Sequence, residues 1–203
     1  LNAPGPNAEA LNTDEEHDGY LIIMNADTDI QLTHMSELIS YCICVIQIAD
    51  ERERSKLLPA MREALLDLVD KEALREKISK GKQVDKKVDT ESPRSQIASY
   101  LYEAGMCFVL GHEIGHHLLK HTKSNGRSIV AKFKPDDVTS NPLHLDEFFA
   151  DDFSFNLLIN EGIKEKNHNT FFAPLIVILM LALYEKKPHE SSQTHPSLRD
   201  RYL

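Results

Sequence analysis

The segment His112-Glu113-Ile114-Gly115-His116 holds the residues best suited to chemistry in this chain. Residues four apart on a helix stack on one face, so His112 and His116 can grip a single metal ion. Glu113 is turned off that face but stays beside the ion, where its carboxylate can hold and deprotonate a water molecule. Two imidazoles and a water suit zinc, which takes a third protein ligand in catalytic sites and keeps its fourth position open. An HExxH string also arises by accident on ordinary amphipathic helices. Here, however, Ala98, Leu101, Tyr102, Gly105, Phe108, Val109, His112 and His116 recur at helical spacing, so the histidines extend an apolar, inward-facing stripe. Two imidazoles and a carboxylate on that stripe would be costly to bury without partners. One zinc ion per chain is the expected cofactor.

The third ligand has to come from elsewhere. A metzincin would continue with Gly at 119 and His at 122, but the chain has Leu119 and Thr122. His117 and His121 fall on other faces of the helix and read as surface residues or as support behind the ligands. Downstream, Asp146-Glu147-Phe148-Phe149-Ala150-Asp151-Asp152-Phe153 places Glu147 and Asp151 four apart on one helical face. Glu147 can ligate the metal, and Asp151 can accept the outer N–H of a ligating histidine, fixing its tautomer. Asp146 is the rival ligand and Asp152 the rival supporting acid. An acidic helix start would be favoured by the macrodipole alone, but that does not explain the phenylalanines and alanine woven between the acids.

With these residues in place the chain resembles gluzincin metallopeptidases, and most closely the HtpX and CAAX prenyl protease family. HExxH at 112–116, ExxAD from Glu147 to Asp151, and His195-Pro196 followed by Arg201 in an HPxxxxR pattern carry the resemblance, which covers roughly residues 96–203. In that family the last histidine and arginine are assigned to transition-state stabilisation and to support behind the ligands. The resemblance thus adds His195 and Arg201 to the candidate catalytic residues beside Glu113. It also implies a gluzincin-like, mainly α domain with an HExxH helix and a small β element. Lit-type phage-exclusion peptidases and ImmA/IrrE-type regulators are the runners-up, and the ImmA/IrrE pattern does not explain HPxxxxR.

The family's membrane helices are missing. The best candidate, residues 171–183, is a run of 13 apolar-rich residues, short of the roughly 20 needed to span a bilayer. It reads as a buried core helix.

The elements that must position the site are mostly helical. Residues 1–18, with Asn-Ala-Pro-Gly-Pro-Asn and an acidic run, read as a flexible arm ahead of a single metallopeptidase domain at 19–203. That domain divides into a helical part at 19–91 and a zinc-binding part at 92–203. Tyr20–Met24 reads as a short buried strand followed by a turn. Helical periodicity runs over 32–49 and 61–78, with Pro59 expected to kink or restart the chain between them. Residues 79–91 read as a polar connector. Ser92-Pro93 supplies an N-cap and a first-position proline for the motif helix. Residues 128–133 are a strand candidate, and helices follow at about 144–160 and 171–186.

Composition bounds the function. The 203 residues suit one domain, and 41% hydrophobic residues provide a core. A net charge of −9, from 32 acidic and 23 basic residues, argues against nucleic acid or an anionic membrane as partner. Cys42, Cys44 and Cys107 read as reduced, which favours a cytoplasmic setting, although the start at Leu1 is compatible with a removed leader.

The reading is a zinc-dependent endopeptidase acting on a protein or peptide substrate, with His112, His116 and Glu147 on the metal and Glu113 as general base. A regulatory or phage-defence protease with one target, controlled by a regulatory protein partner, is the narrower alternative. A non-catalytic, metal-stabilised interaction protein is the alternative of another class, with His144 as a candidate fourth ligand.

Overall fold

The computed structural model describes residues 7–12, 20–47, 50–69, 92–122, 141–166, 168–184, 190–192 and 195–202. It is mainly helical with one two-stranded sheet. The elements are β1 (Ala8–Asn12), β2 (Tyr20–Met24), α1 (Ala26–Gln47), α2 (Glu51–Val69), α3 (Pro93–Leu118), α4 (Pro142–Glu165), a 3-10 turn (His168–Phe172), α5 (Ala173–Tyr184) and α6 (Leu198–Tyr202).

Local signals set the helix starts. Ser92 caps α3, its side chain accepting from Ser95 N–H, with Pro93 at the first helical position. Asn141 and Pro142 repeat the device for α4, where the Asn141 side chain accepts from Leu143 N–H. The segment after Tyr20–Met24, expected to be a turn, is instead the first turn of α1. Asn25 Oδ1 accepts from Thr28 N–H at 3.1 Å, so the cluster of Asn, Asp and Thr acts as a cap and lets the helix begin well before the apolar periodicity does. Pro59 lies inside a continuous α2 rather than at a break. Residues 79–91 and 128–133 lie outside the described residues.

The chain start differs from the flexible arm expected over 1–18. Ala8–Asn12 pairs antiparallel with Tyr20–Met24, in a register that sets Ala8 opposite Met24 and Leu11 opposite Leu21. Polar bonds hold the near end of this strand. Asn7 N–H donates to Thr28 Oγ1 at 2.8 Å, and Thr28 Oγ1–H donates back to Asn7 C=O at 3.0 Å. Composition alone could not show this, because the strand is stabilised by a partner and by α1, not by its own residues. The partner strand is also less buried than its apolar run suggests, with Leu21 45% exposed.

The motif helix α3 is the centre of the molecule. Leu101, Ala104, Phe108 and Val109 on α3 join Leu32 and Met35 of α1, Leu158 of α4, and Ala173, Ile176, Val177 and Met180 of α5 in one core. Each fully buried side chain of the Leu, Ile, Phe or Met type contributes about 1.5–3 kcal/mol of transfer free energy. The segment at 171–183 enters this core through α5, which starts at Ala173 because Phe171 and Phe172 belong to the 3-10 turn. No described helix is long and apolar enough to cross a membrane.

Two glycines bring α4 close against α3. A Cβ on Gly111 would meet Ser154 Oγ at 2.5 Å, and one on Gly115 would meet Ala150 Cα at 3.2 Å. Ser154 is fully buried and donates to Phe108 C=O at 2.7 Å, one turn before His112. The acidic face of α4 is thereby pressed against the histidines of α3. Gly111→Ala should therefore destabilise the fold. The helix gains about 1 kcal/mol of propensity, but overpacking of a closed interface typically costs about 1–3 kcal/mol. A Tm below the parent is expected in thermal melts, at about 2–4 °C per kcal/mol for a chain of this size. Adding Ser154→Ala should recover part of the loss. A Gly111→Ala protein that melts at or above the parent would show that the interface gives way freely.

Candidate metal centre

His112 and His116 point from one face of α3, as the four-residue spacing requires, and their Nε2 atoms lie 3.0 Å apart. Glu147 comes to them from α4. Its Oε2 is 3.5 Å from His112 Nε2 and its Oε1 is 3.4 Å from His116 Nε2. The three residues form a group able to hold a metal ion, with ligand atoms all within 4.8 Å of one another. Three donors bound tetrahedrally at about 2.1 Å would sit about 3.4 Å apart, so the observed spacing and the N, N, O donor set suit zinc. The rival acid Asp146 faces elsewhere, with Oδ1 3.4 Å from His121 Nε2.

Behind His112 stands Asp151, one helical turn beyond Glu147. His112 Nδ1 lies 2.8 Å from Asp151 Oδ1, a contact that would leave Nε2 of the neutral ring free of hydrogen for a metal ion. Arg201 then grips Asp151 with both arms of its guanidinium. Nε donates to Oδ2 at 2.7 Å and Nη2 to Oδ1 at 2.6 Å, a bidentate geometry that fixes the carboxylate plane. Arg201 Nη1 is also 3.7 Å from Glu147 Oε2. The arginine is nearly buried, bonds Asp151 and lies beside Glu147. Asp152, the rival supporting acid, is exposed.

These contacts set the protonation of the group. Burial disfavours a charged His112, but the bonds to Asp151 and Glu147 outweigh it and raise its pKa from 6.5 to about 9. Glu147 and Asp151 are likewise opposed by burial, yet His112 and Arg201 hold both carboxyls below the ordinary range, with His116 adding to the effect on Glu147. Glu113 behaves in the opposite way. It is buried, and burial raises its pKa against the pull of His112 and His116 and of a hydrogen bond from the Ala10 backbone. A carboxylate with raised proton affinity beside a metal position is suited to accept a proton from water.

The C-terminal segment folds over the cleft. Ser192 N–H donates to His195 C=O, and His195 N–H to Ser192 Oγ, both at 2.9 Å. His144 Nε2 lies 2.9 Å from Ser192 C=O, so this histidine ties down the segment and does not join the metal group. Ser197 caps α6, accepting from Asp200 N–H at 3.1 Å and donating to its carboxylate at 2.7 Å. His195 is left with its side chain 58% exposed and Nε2 3.7 Å from Glu147 Oε1. A cleft of about 220 Å³ opens there, walled by His112, Glu113, Glu147, His195 and Arg201, with Val109, Val177 and Met180 as apolar lining.

The sequence alone puts Asn7 and Ala8 in a flexible arm and reads His117 and His121 only as surface or supporting residues, without their partners. Asn7 and Ala8 line the cleft from the edge of β1. His117, 4% exposed, lies with Nε2 3.3 Å from the Leu21 carbonyl and ties the sheet to the motif helix. His121 lies with Nδ1 2.9 Å from His116 Nδ1. Burial lowers the His121 pKa, which favours its neutral form. For the two histidines the signal was the density of histidines at 112–121, which does not say which one turns towards which partner; for Asn7 and Ala8 the sequence held none.

The model of the family described as Peptidase U49 matches residues 11–203. None of the curated proteins and none of the solved structures compared matches the chain.

Proposed function

The chain belongs to the Peptidase U49 family, and from that membership and the geometry of the cleft we propose that it is a zinc-dependent endopeptidase of gluzincin type, cleaving a protein or peptide substrate. The observation that carries this reading is the buried group of His112, His116 and Glu147 with Glu113 on the same cleft wall. Family membership supports peptide hydrolysis but leaves the nucleophile open. A metal-ligand trio beside a buried glutamate of raised proton affinity favours an activated water.

Zinc held there would polarise the scissile carbonyl and lower the pKa of the attacking water towards about 7. Glu113 takes the proton from that water and delivers it to the departing amine as the C–N bond breaks. His195, exposed at the mouth, would donate to the developing oxyanion. Arg201 holds Asp151 and Glu147 in orientation, and Asp151 holds His112.

The strand edge supports an extended substrate. Asn25 N–H donates to Asn7 C=O at 3.0 Å, which makes that pair a hydrogen-bonded one. The alternation of an antiparallel ladder then turns the backbone groups of Ala8 and Ala10 away from β2 and towards the cleft, where Ala10 meets Glu113. A peptide lying along this edge in extended form would pass the metal position.

The non-catalytic alternative finds less support. A structural zinc is closed by a fourth protein ligand and needs no base. Among the described residues no further His, Cys, Asp or Glu joins the trio. The acidic net charge supports a protein rather than a nucleic-acid partner. Cys42, Cys44 and Cys107 are unbridged, which supports a reducing, cytoplasmic setting.

The test is metal removal and return. Purified protein incubated with a proteome-derived peptide library should generate new amino termini. These should disappear on treatment with 1,10-phenanthroline and reappear when one equivalent of zinc is restored. Cleavage that persists in the metal-free protein, or no cleavage by the zinc-loaded protein, would remove the reading.

A further inference from the structure

The cap of the motif helix does more than end it. Lys120 sits in the left-handed region, at φ 64°. Lys120 N–H donates to His117 C=O at 3.1 Å, and His121 N–H donates to His116 C=O at 2.9 Å. These two bonds define a Schellman motif, which folds the residue after the left-handed position back over the residue five places earlier. The contact so formed is commonly apolar. Here it joins two imidazoles, His116 and His121, with Nδ1 atoms 2.9 Å apart and ring centroids 5.0 Å apart at a steep interplanar angle of 69°.

The arrangement is backed on its far side as well. The His121 side chain is 4% exposed, and its Nε2 lies 3.4 Å from Asp146 Oδ1 on α4. That is within ion-pair range, though not aligned well enough to count as a hydrogen bond. Asp146 immediately precedes Glu147, so the pair bridges the turn beyond one ligand and the residue beside another. A lysine in the left-handed region is strained relative to glycine, and strain of this kind persists where the surrounding structure requires the conformation. The two ligating histidines therefore have different supports, a carboxylate gripped by arginine behind His112 and a second imidazole behind His116.

We propose that His121, backed by Asp146, is a positioning residue that accepts the Nδ1–H of His116 and so fixes the tautomer presenting Nε2 to the metal. His121 then carries its own hydrogen on Nε2, the nitrogen that lies 3.4 Å from Asp146 Oδ1. The proposal rests on the zinc-centre reading above. Loss of such an outer partner typically costs about 10–100-fold in metal affinity or activity.

The test uses the full chain, with zinc affinity measured by chelator competition and ligand geometry by the visible spectrum of the cobalt(II)-loaded protein. His121→Asn places an amide oxygen, attached to Cγ as Nδ1 is, where it can accept from His116. His121→Leu fills the space and offers no acceptor. The leucine protein should bind zinc about 10–100-fold more weakly and show an altered cobalt spectrum. The asparagine protein should stay within a few-fold of the parent and keep its spectrum. Asp146→Asn should weaken zinc binding in the parent and have no further effect on top of His121→Leu, because it acts through the same residue. If His121→Leu does not fold, His121→Ala takes its place. Parental affinity and spectrum in the leucine protein, or equal losses in the leucine and asparagine proteins, would overturn the proposal. Failure of the parent itself to bind zinc would instead remove the metal-centre reading.

Discussion

His112→Ala, His116→Ala and Glu147→Ala each lose stoichiometric zinc, and with it peptide hydrolysis, while Asp146→Ala keeps a measurable zinc site. This is the expected outcome of metal analysis on the four purified proteins. The trio supplies all the protein donors assembled at the centre among the described residues, so removing one leaves two donors and a gap. The loss should exceed the roughly 10–100-fold that removal of an outer partner costs. The three variants should differ in stability. His112→Ala leaves Asp151 with Arg201, which still bonds both its oxygens. Glu147→Ala instead leaves His112 and His116 with Nε2 atoms 3.0 Å apart and no carboxylate between them. Breaking a buried charged cluster by removing one partner is destabilising because the remaining groups keep their desolvation cost. Retention of one zinc per chain in Glu147→Ala would move the third ligand to another residue and dismantle the centre as described.

Glu113→Gln is expected to separate metal binding from chemistry. The amide is nearly isosteric but cannot take a proton from water, so kcat should fall by about 10²–10⁴-fold, the range that a positioned general base contributes. Zinc content should stay at the parental value, because Glu113 lies outside the ligand trio. The metal-free variant should also melt at or above the parent at neutral pH. Burial raises the Glu113 pKa in the fold, so the folded protein binds that proton more tightly than the unfolded chain. The stability this contributes is present at low pH and is lost as pH rises through the folded pKa. Above the folded pKa the buried carboxylate is therefore a burden on the fold, and a neutral amide is not. Loss of activity with retained zinc and undiminished Tm is a combination that simple misfolding does not produce. Undiminished turnover in Glu113→Gln would sink the water-activation mechanism even if zinc is bound.

Several parts of this molecule were legible in the residues alone, and they share a physical basis. Helix geometry repeats over three or four residues. The cap at Ser92-Pro93, the inward stripe through Phe108 and Val109, the common face of His112 and His116, and the common face of Glu147 and Asp151 all follow from neighbours within one or two turns. Tyr20–Met24 was legible as a strand from its run of apolar residues, and 171–183 as a core helix from its length, apart from Phe171 and Phe172 in the 3-10 turn. The helical periodicity before residue 49 was visible, but the start of α1 was not, because Asn25 converts an apparent turn into a cap.

What tertiary structure decided lies at longer range. Only the packing of α4 on α3, made close by Gly111 and Gly115, brings Glu147 rather than Asp146 to the histidines, since adjacent residues on a helix differ by about 100° in direction. Only folding sets Arg201 on Asp151, fifty positions away, and leaves His195 at the mouth of the cleft. The strand at Ala8–Asn12 has no strong periodicity of its own and exists through β2 and Thr28. His121 is five residues from His116, a spacing that no regular helix face provides. It reaches its partner because Lys120 adopts a left-handed conformation without a glycine to announce it. Local periodicity told which side chains share a face, and only the closed fold told which faces meet.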